Sequence, residues 1–119
     1  MNTKERAPVV DLDALLNNVG GDSDLLDELA GSFTTELAGW ITPLRAAVLS
    51  GNAEAIHRFA HSLNGAIAVF TAPTVQRAAA ELEAMGREAN LGGAAGALDR
   101  LEAALVELSA FLRETPWRR

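Results

Sequence analysis

The stretch that decides the fold is residues 57–70, HRFAHSLNGAIAVF, which has the pattern of an amphipathic helix with a histidine on its polar side. Successive apolar residues are three or four positions apart, the period of a helix that packs one face against a core. Counted from the residue before the stretch, they are Ile56, Phe59, Ala60, Leu63, Ala66, Ile67 and Phe70. With about 100° between successive residues, His61 lies roughly 160° from the centre of that face. We therefore expect its ring to face water.

The surface beside His61 is predicted to be nearly bare. One and two turns along the same side of the helix stand Gly65 and Ala68. A glycine inside a helix costs about 1 kcal/mol relative to alanine, so Gly65 indicates that something approaches the helix backbone closely here. An exposed imidazole in such a clearing suits a partner protein that carries out chemistry on it.

The composition is typical of a small helical domain. The chain has 119 residues, of which 49% are apolar and only 5% aromatic, which favours closely packed helices over a sheet. The net charge of −6 and the lack of a basic stripe argue against nucleic-acid binding, and the absence of cysteine excludes disulfides and thiolate metal sites. No apolar run approaches the roughly 18 residues of a membrane span, and the N-terminus lacks the apolar core of a signal peptide. We therefore expect a cytoplasmic protein that does not bind a membrane.

Helical patterns continue on both sides of this stretch. No segment alternates like a strand, and the connections are short enough for antiparallel neighbours. The predicted helices run from the cap Asp11 to Gly20-Gly21, from the cap region Asp22-Ser23-Asp24 to Gly51-Asn52, roughly over 52–69, from Pro73 to Ala89 and roughly over 94–114. The predicted fold is all-α, an antiparallel four-helix bundle with an additional short N-terminal helix.

The same patterns divide the chain into three parts. Residues 1–8 are predicted to be a disordered lead, residues 9–114 the helical bundle, and residues 115–119 a flexible tail. Within the second helix Pro43 lacks an amide donor, and we expect it to bend or break that helix just upstream.

The run Ala60-His61-Ser62-Leu63-Asn64-Gly65 resembles the core motif of the histidine phosphotransfer (HPt) domains of two-component phosphorelays. That motif reads alanine-histidine-any-leucine-lysine-glycine. The resemblance covers about residues 9–113. Its other matching segments are Gly20-Gly21-Asp22, Leu49-Ser50-Gly51-Asn52, Phe70-Thr71-Ala72 and Leu82-Glu83.

The resemblance implies that His61 is the phosphoacceptor. Such domains take a phosphoryl group from an aspartyl phosphate on a receiver domain, or pass it to one. A neutral imidazole is a competent nucleophile near neutral pH, since its unperturbed pKa is about 6.5. The receiver supplies the Mg²⁺ and the acidic pocket. The chain is therefore expected to be a phosphocarrier rather than an enzyme, with no cofactor and no metal site of its own.

Three residues are expected to surround the phosphoryl group: Asn64, Gly65 and Glu83. Asn64 stands where the family usually has lysine, and a neutral amide in place of a cation predicts slower transfer or a less stable phosphohistidine. Glu83 stands where some members carry a glutamine, and its carboxylate could accept the Nδ1 proton of His61 and leave Nε2 as the nucleophile. The other departure from the family pattern, Thr71 in place of the usual glycine, puts the geometry of the helix–helix turn in question but not the chemistry.

The partner is expected to be the receiver domain of a response regulator or hybrid histidine kinase, bound by a monomer of this chain. The candidate docking residues are His57, Arg58, Ala68, Leu12 and Leu16. A zinc site on the His57 and His61 pair is disfavoured because no catalytic glutamate stands between them. Two other functions stay open: an inactive HPt-like module that only docks on a receiver or kinase, and a structural bundle with an incidental histidine.

Overall fold

The chain forms a bundle of helices in the computed structural model, which describes residues 10–118. Four long helices follow one another around the bundle, each packing against the next, and the last closes against the first. A short helix, α1, lies against two single 3₁₀ turns. The elements are α1 (Leu12–Asn18), α2 (Ser23–Ser50), α3 (Ala53–Ile67), the first 3₁₀ turn (Ala68–Phe70), α4 (Pro73–Glu88), α5 (Ala94–Arg113) and the second 3₁₀ turn (Pro116–Arg118). The prediction of an all-α bundle with a short first helix is confirmed.

Side-chain caps fix where the first three helices begin. The Oδ1 atoms of Asp11, Asp22 and Asn52 each accept a hydrogen bond from the amide three residues later, at 3.2, 3.0 and 3.1 Å. The first amides of a helix have no partner within the helix, so these side chains supply one. Because Asn52 follows Gly51, which has a left-handed φ of 67°, α2 ends and α3 begins within two residues.

The core lies between the four long helices and determines which face of α3 is free. Ile56, Leu63 and Ile67 of α3 are fully buried. Burying a leucine or isoleucine side chain stabilises the fold by about 1.5–3 kcal/mol, so rotation of α3 about its axis would be costly. The other large, fully buried side chains include Leu15, Leu26, Leu44, Phe70, Leu82, Leu101, Leu105, Leu108 and Leu112. This packing holds the opposite face of α3 toward solvent.

The helix α2 runs unbroken from Ser23 to Ser50, although Pro43 lies inside it. Of the bend or break expected at this position, the break does not occur. A proline removes one hydrogen bond, the one its own amide would donate, and crowds the carbonyl four residues earlier. The buried residues Ile41, Leu44 and Ala47 flank Pro43 on the core side of the helix. Their packing on both sides of the proline keeps α2 continuous.

The chain after α5 is folded, contrary to the expectation of a flexible tail over 115–119. The indole of Trp117 is buried, at 7% exposure, and its Nε1 donates to Asp27 Oδ1 at 2.9 Å. Arg118 Nε donates to the other oxygen of Asp27 at 2.8 Å. An apolar ring and two donors that meet one carboxylate are enough to order this segment. The predicted lead, residues 1–8, and Arg119 lie outside the described residues.

The turn between α3 and α4 keeps a left-handed residue where the family usually has glycine. Thr71 has a φ of 49°. A residue with a Cβ pays about 1–2 kcal/mol in this region. The Thr71 hydroxyl donates to the Phe70 carbonyl oxygen at 2.6 Å. A glycine at this position would avoid that cost.

No helix among residues 10–118 has the length and apolar character to cross a membrane.

Candidate functional site

The ring of His61 lies on the solvent side of α3. Its side chain is 71% exposed. The buried residues of α3 occupy the opposite face, as the three- and four-residue spacing predicted. A group from another molecule therefore has free access to the imidazole.

A carboxylate on the neighbouring helix holds one nitrogen of that ring. His61 Nδ1 lies 2.7 Å from Glu83 Oε2 of α4. The Glu83 side chain is only 16% exposed, so it is less mobile than a free surface glutamate. An ionised carboxylate can only accept hydrogen bonds, so Nδ1 must carry the proton. The lone pair of a neutral His61 is then on Nε2, the nitrogen not engaged by Glu83.

His57 lies one turn before His61 and packs between α3 and α4. It is half-buried, and its Nδ1 lies 3.3 Å from the backbone carbonyl oxygen of Glu83. Its ring is stacked near that of His61, with centroids 6.1 Å apart and an angle of 24° between the planes. The structure places this candidate docking residue half-buried in the seam between two helices.

The other side of His61 is open. Gly65 and Ala68 are both exposed. A Cβ built on Gly65 would meet no atom within 4 Å. Nothing in the packing of residues 10–118 therefore requires a glycine at this position. Asn64 is half-buried, and no hydrogen bond of its side chain is found within the described part of the chain.

The remaining candidate docking residues lie on two different elements. Arg58 is exposed on α3, with its guanidinium carbon 5.0 Å from the centre of the Phe59 ring. Leu12 and Leu16 are half-buried on α1 and pack against the core. The structure brings α1 against the first 3₁₀ turn, where Asn18 Nδ2 donates to the Val69 carbonyl oxygen at 3.1 Å. It therefore places α1 beside the end of α3.

A glycine that the sequence reasoning missed sets the distance between α3 and α4. Gly86 is buried, and a Cβ built on it would lie 2.5 Å from the backbone nitrogen of His57 and 2.7 Å from the Ala53 carbonyl oxygen. The sequence offered one signal for it: a glycine in the interior of a predicted helix, three residues after Glu83. The close approach brings Glu83, about one turn away along α4, within reach of His61.

Groups of three or more metal-ligating side chains are not found between residues 10 and 118. The site therefore consists of one exposed imidazole, one carboxylate that orients it and one half-buried imidazole behind them. Such an arrangement can present a nucleophilic nitrogen to another molecule.

Comparisons with known proteins identify the family of the chain. A family model described as the Hpt domain matches residues 24–111, which include α3 and α4 with both His61 and Glu83. The fold is similar to the crystal structure of histidine-containing phosphotransfer protein B (HptB) from Pseudomonas aeruginosa PAO1. The TM-score is 0.85 at 23% sequence identity, over 96% of this chain and 99% of that one. A search of curated proteins found no match. The chain therefore belongs to the Hpt domain family, the histidine phosphotransfer domains of two-component phosphorelays.

Proposed function

We propose that His61 accepts a phosphoryl group from an aspartyl phosphate of a receiver domain and passes it on to another receiver. The observation that carries this proposal is the exposed His61 ring with its Nδ1 bound to Glu83 Oε2 at 2.7 Å. Orientation by a fixed hydrogen bond leaves Nε2 facing the partner without further rearrangement. The proposal covers a phosphocarrier, a protein that is modified during its task.

The chemical step needs only one bond to form and one to break. The lone pair of Nε2 attacks the phosphorus atom, the P–N bond forms, and the P–O bond to the aspartate breaks, so that the aspartate leaves as a carboxylate. The imidazole then carries a positive charge, because Nδ1 keeps its proton. The carboxylate of Glu83 stabilises that charge through its contact with Nδ1. The reverse sequence returns the group to a second aspartate.

The receiver supplies what this chain does not. In phosphoryl transfer the catalysis is mostly positioning and charge stabilisation around the transferring oxygens, often by Mg²⁺. The receiver would bring the aspartate, the metal ion and the acidic pocket. We propose that the complex forms with a monomer of this chain, in the cytoplasm, and that it needs no cofactor from this side.

The open side of the His61 ring is the proposed place of contact with the receiver. Gly65 and Ala68 leave room for the partner backbone to approach α3. Arg58 offers an exposed cation to an acidic pocket, and the half-buried apolar side chains Leu12 and Leu16 supply an apolar edge. His57 is not part of this surface in our proposal, because its ring is tied to the Glu83 carbonyl oxygen of α4.

Asn64 favours a second candidate function. A lysine at this position would offer positive charge to the phosphoryl oxygens, whereas the asparagine amide donates only neutral hydrogen bonds. A domain with a weakened phosphoryl environment could bind receivers without accepting the group. This alternative is a docking module that regulates by occupying the receiver.

Transfer from a phosphorylated receiver separates the two functions. The protein is mixed with a ³²P-labelled receiver domain and Mg²⁺, alongside the variant His61→Gln, and binding of both to the receiver is measured separately. We expect acid-labile, alkali-stable label on the natural protein and none on His61→Gln, with equal binding. Binding without label on either protein would support the docking module. If the protein neither binds the receiver nor takes up label, it is a structural bundle with an incidental histidine.

A further inference from the structure

The half-buried imidazole of His57 has no role in the proposed transfer step, yet it contacts both groups of the site. Its Nδ1 lies 3.3 Å from the Glu83 carbonyl oxygen, and its ring is stacked 6.1 Å from the ring of His61. A backbone carbonyl only accepts hydrogen bonds, so His57 must donate through Nδ1. This contact joins the middle of α3 to the turn of α4 that carries the orienting carboxylate.

The backbone around His57 leaves little freedom for that contact to shift. Gly86 brings the two helices so close that a Cβ would lie 2.5 Å from the His57 nitrogen and 2.9 Å from its Cα. The helices therefore touch through backbone atoms, which cannot rotate aside as side chains do. The backbone of His57 lies directly against Gly86, and its side chain donates to the Glu83 carbonyl oxygen about one turn earlier on α4. Together these two contacts fix the position of Glu83 along the axis of α4 relative to His61.

We infer that His57 is a positioning residue for phosphotransfer, holding the α4 turn so that the Glu83 carboxylate stays on Nδ1 of His61. The inference rests on the proposed function of His61 and adds a residue to it. When the His57 donor is lost, the backbone contact at Gly86 remains, but the turn that carries Glu83 loses its own tie to α3 and gains freedom. The carboxylate then spends less time on Nδ1, and the proton of a neutral His61 is shared between both nitrogens. Only molecules with the lone pair on Nε2 are ready to react.

Two substitutions of nearly equal shape isolate the donor. In His57→Asn, the amide nitrogen takes about the place of Nδ1 and can still donate to the Glu83 carbonyl. In His57→Leu, the side chain has the same branched shape and cannot donate. A third variant, His57→Phe, keeps an aromatic ring beside His61 but also lacks the donor. The three variants separate the hydrogen bond from the ring contact and from side-chain volume.

The first readout is the proton position on His61, which needs no phosphate. Ring ¹⁵N chemical shifts are recorded on the full chain at about pH 9, where an unperturbed imidazole is neutral. We expect the Nδ1–H form to dominate in the natural protein and in His57→Asn. In His57→Leu and His57→Phe, its ratio to the Nε2–H form should fall by about two- to tenfold, the range of one neutral hydrogen bond.

The second readout is the rate of phosphorylation by phosphoramidate, a small donor that requires no receiver. In that reaction the P–N bond to ammonia breaks as the bond to Nε2 forms. We expect the rate to follow the Nδ1–H population, with His57→Asn near the natural rate and His57→Leu slower. Thermal melting of the variants shows how much of any loss comes from unfolding.

The outcomes of these experiments are distinct. Equal ¹⁵N spectra for His57→Asn and His57→Leu, in folded proteins, would overturn the positioning role. A normal spectrum in His57→Phe would also overturn it, because the ring alone would then suffice. If the spectra shift as expected but the natural protein takes no label from phosphoramidate or a receiver, the positioning role stands and the proposed function of His61 fails.

Discussion

Replacing Gly65 with alanine should make the protein more stable and a poorer partner for its receiver. The gain in stability follows from the space around Gly65. A Cβ at Gly65 meets no atom within 4 Å, so the new methyl group enters open space. Removing a glycine from a helix interior gains about 0.5–1 kcal/mol. For a domain of this length we expect the melting temperature to rise by about 2 to 4 °C.

The poorer reaction with the receiver follows from the position of Gly65, one turn after His61. Side chains four residues apart on a helix have their Cβ atoms about 5–6 Å from each other. The methyl group would therefore occupy the space into which the partner backbone must come. Excess volume in a packed contact costs about 1–3 kcal/mol, and 1.4 kcal/mol is a factor of ten. We expect the transfer rate from a phosphorylated receiver to fall by about tenfold.

Two phosphoryl donors, the phosphorylated receiver and phosphoramidate, and one control variant make the assay specific. Phosphoramidate is too small to need the docking surface, so its reaction with Gly65→Ala should stay close to that of the natural protein. Gly31→Ala on α2 is a matched control, because a Cβ there also meets nothing within 4 Å and α2 does not carry His61. It should gain stability and keep its receiver rate. A Gly65→Ala protein that is stabilised and still reacts normally with the receiver would refute the close approach.

Three further predictions follow from other contacts. Gly86→Ala should lower the free energy of unfolding, measured by urea titration, by about 1–2 kcal/mol, because its Cβ would meet backbone atoms at 2.5 Å; a gain like that of Gly65→Ala would contradict the close packing. Asn64→Lys should speed receiver transfer by about tenfold through a charge-assisted contact, and an unchanged rate would count against our account of that position. The contacts of Arg118 and then Trp117 lower the pKa of Asp27 from its ordinary value of 3.8, so the stabilisation they give is present above that value and is lost as pH falls through the lowered pKa. The difference in unfolding free energy between the natural protein and Asp27→Asn should therefore shrink below about pH 4. A difference that grows below that pH would contradict the lowered pKa of Asp27.

Most of the fold follows from local signals in the sequence. The three- and four-residue spacing of apolar residues predicted the buried face of α3, and therefore the exposure of His61. The caps Asp11, Asp22 and Asn52 are short-range signals, since each side chain bonds an amide only three residues away. Features of this kind need no knowledge of how the helices pack.

The features that the sequence did not predict depend on contacts between distant parts of the chain. The burial of Trp117 depends on Asp27, ninety positions away, and no local pattern reports that pairing. The half-buried position of His57 depends in the same way on Gly86 of the next helix. Of the bend or break expected at Pro43, the break does not occur, because packing on both sides of the residue stabilises α2 more than the proline weakens it. Tertiary contacts decided all three cases.

The proposed transfer depends on which of the two ring nitrogens of His61 bonds to phosphorus. Glu83 holds Nδ1 at 2.7 Å, so the phosphoryl group should bond to Nε2. The direct measurement is the ¹⁵N and ³¹P NMR spectrum of the phosphorylated full chain, in which phosphorus coupling identifies the bonded nitrogen. We predict phosphorus bonded to Nε2, with the proton kept on Nδ1. Phosphorus bonded to Nδ1, or carried by another residue, would contradict the account.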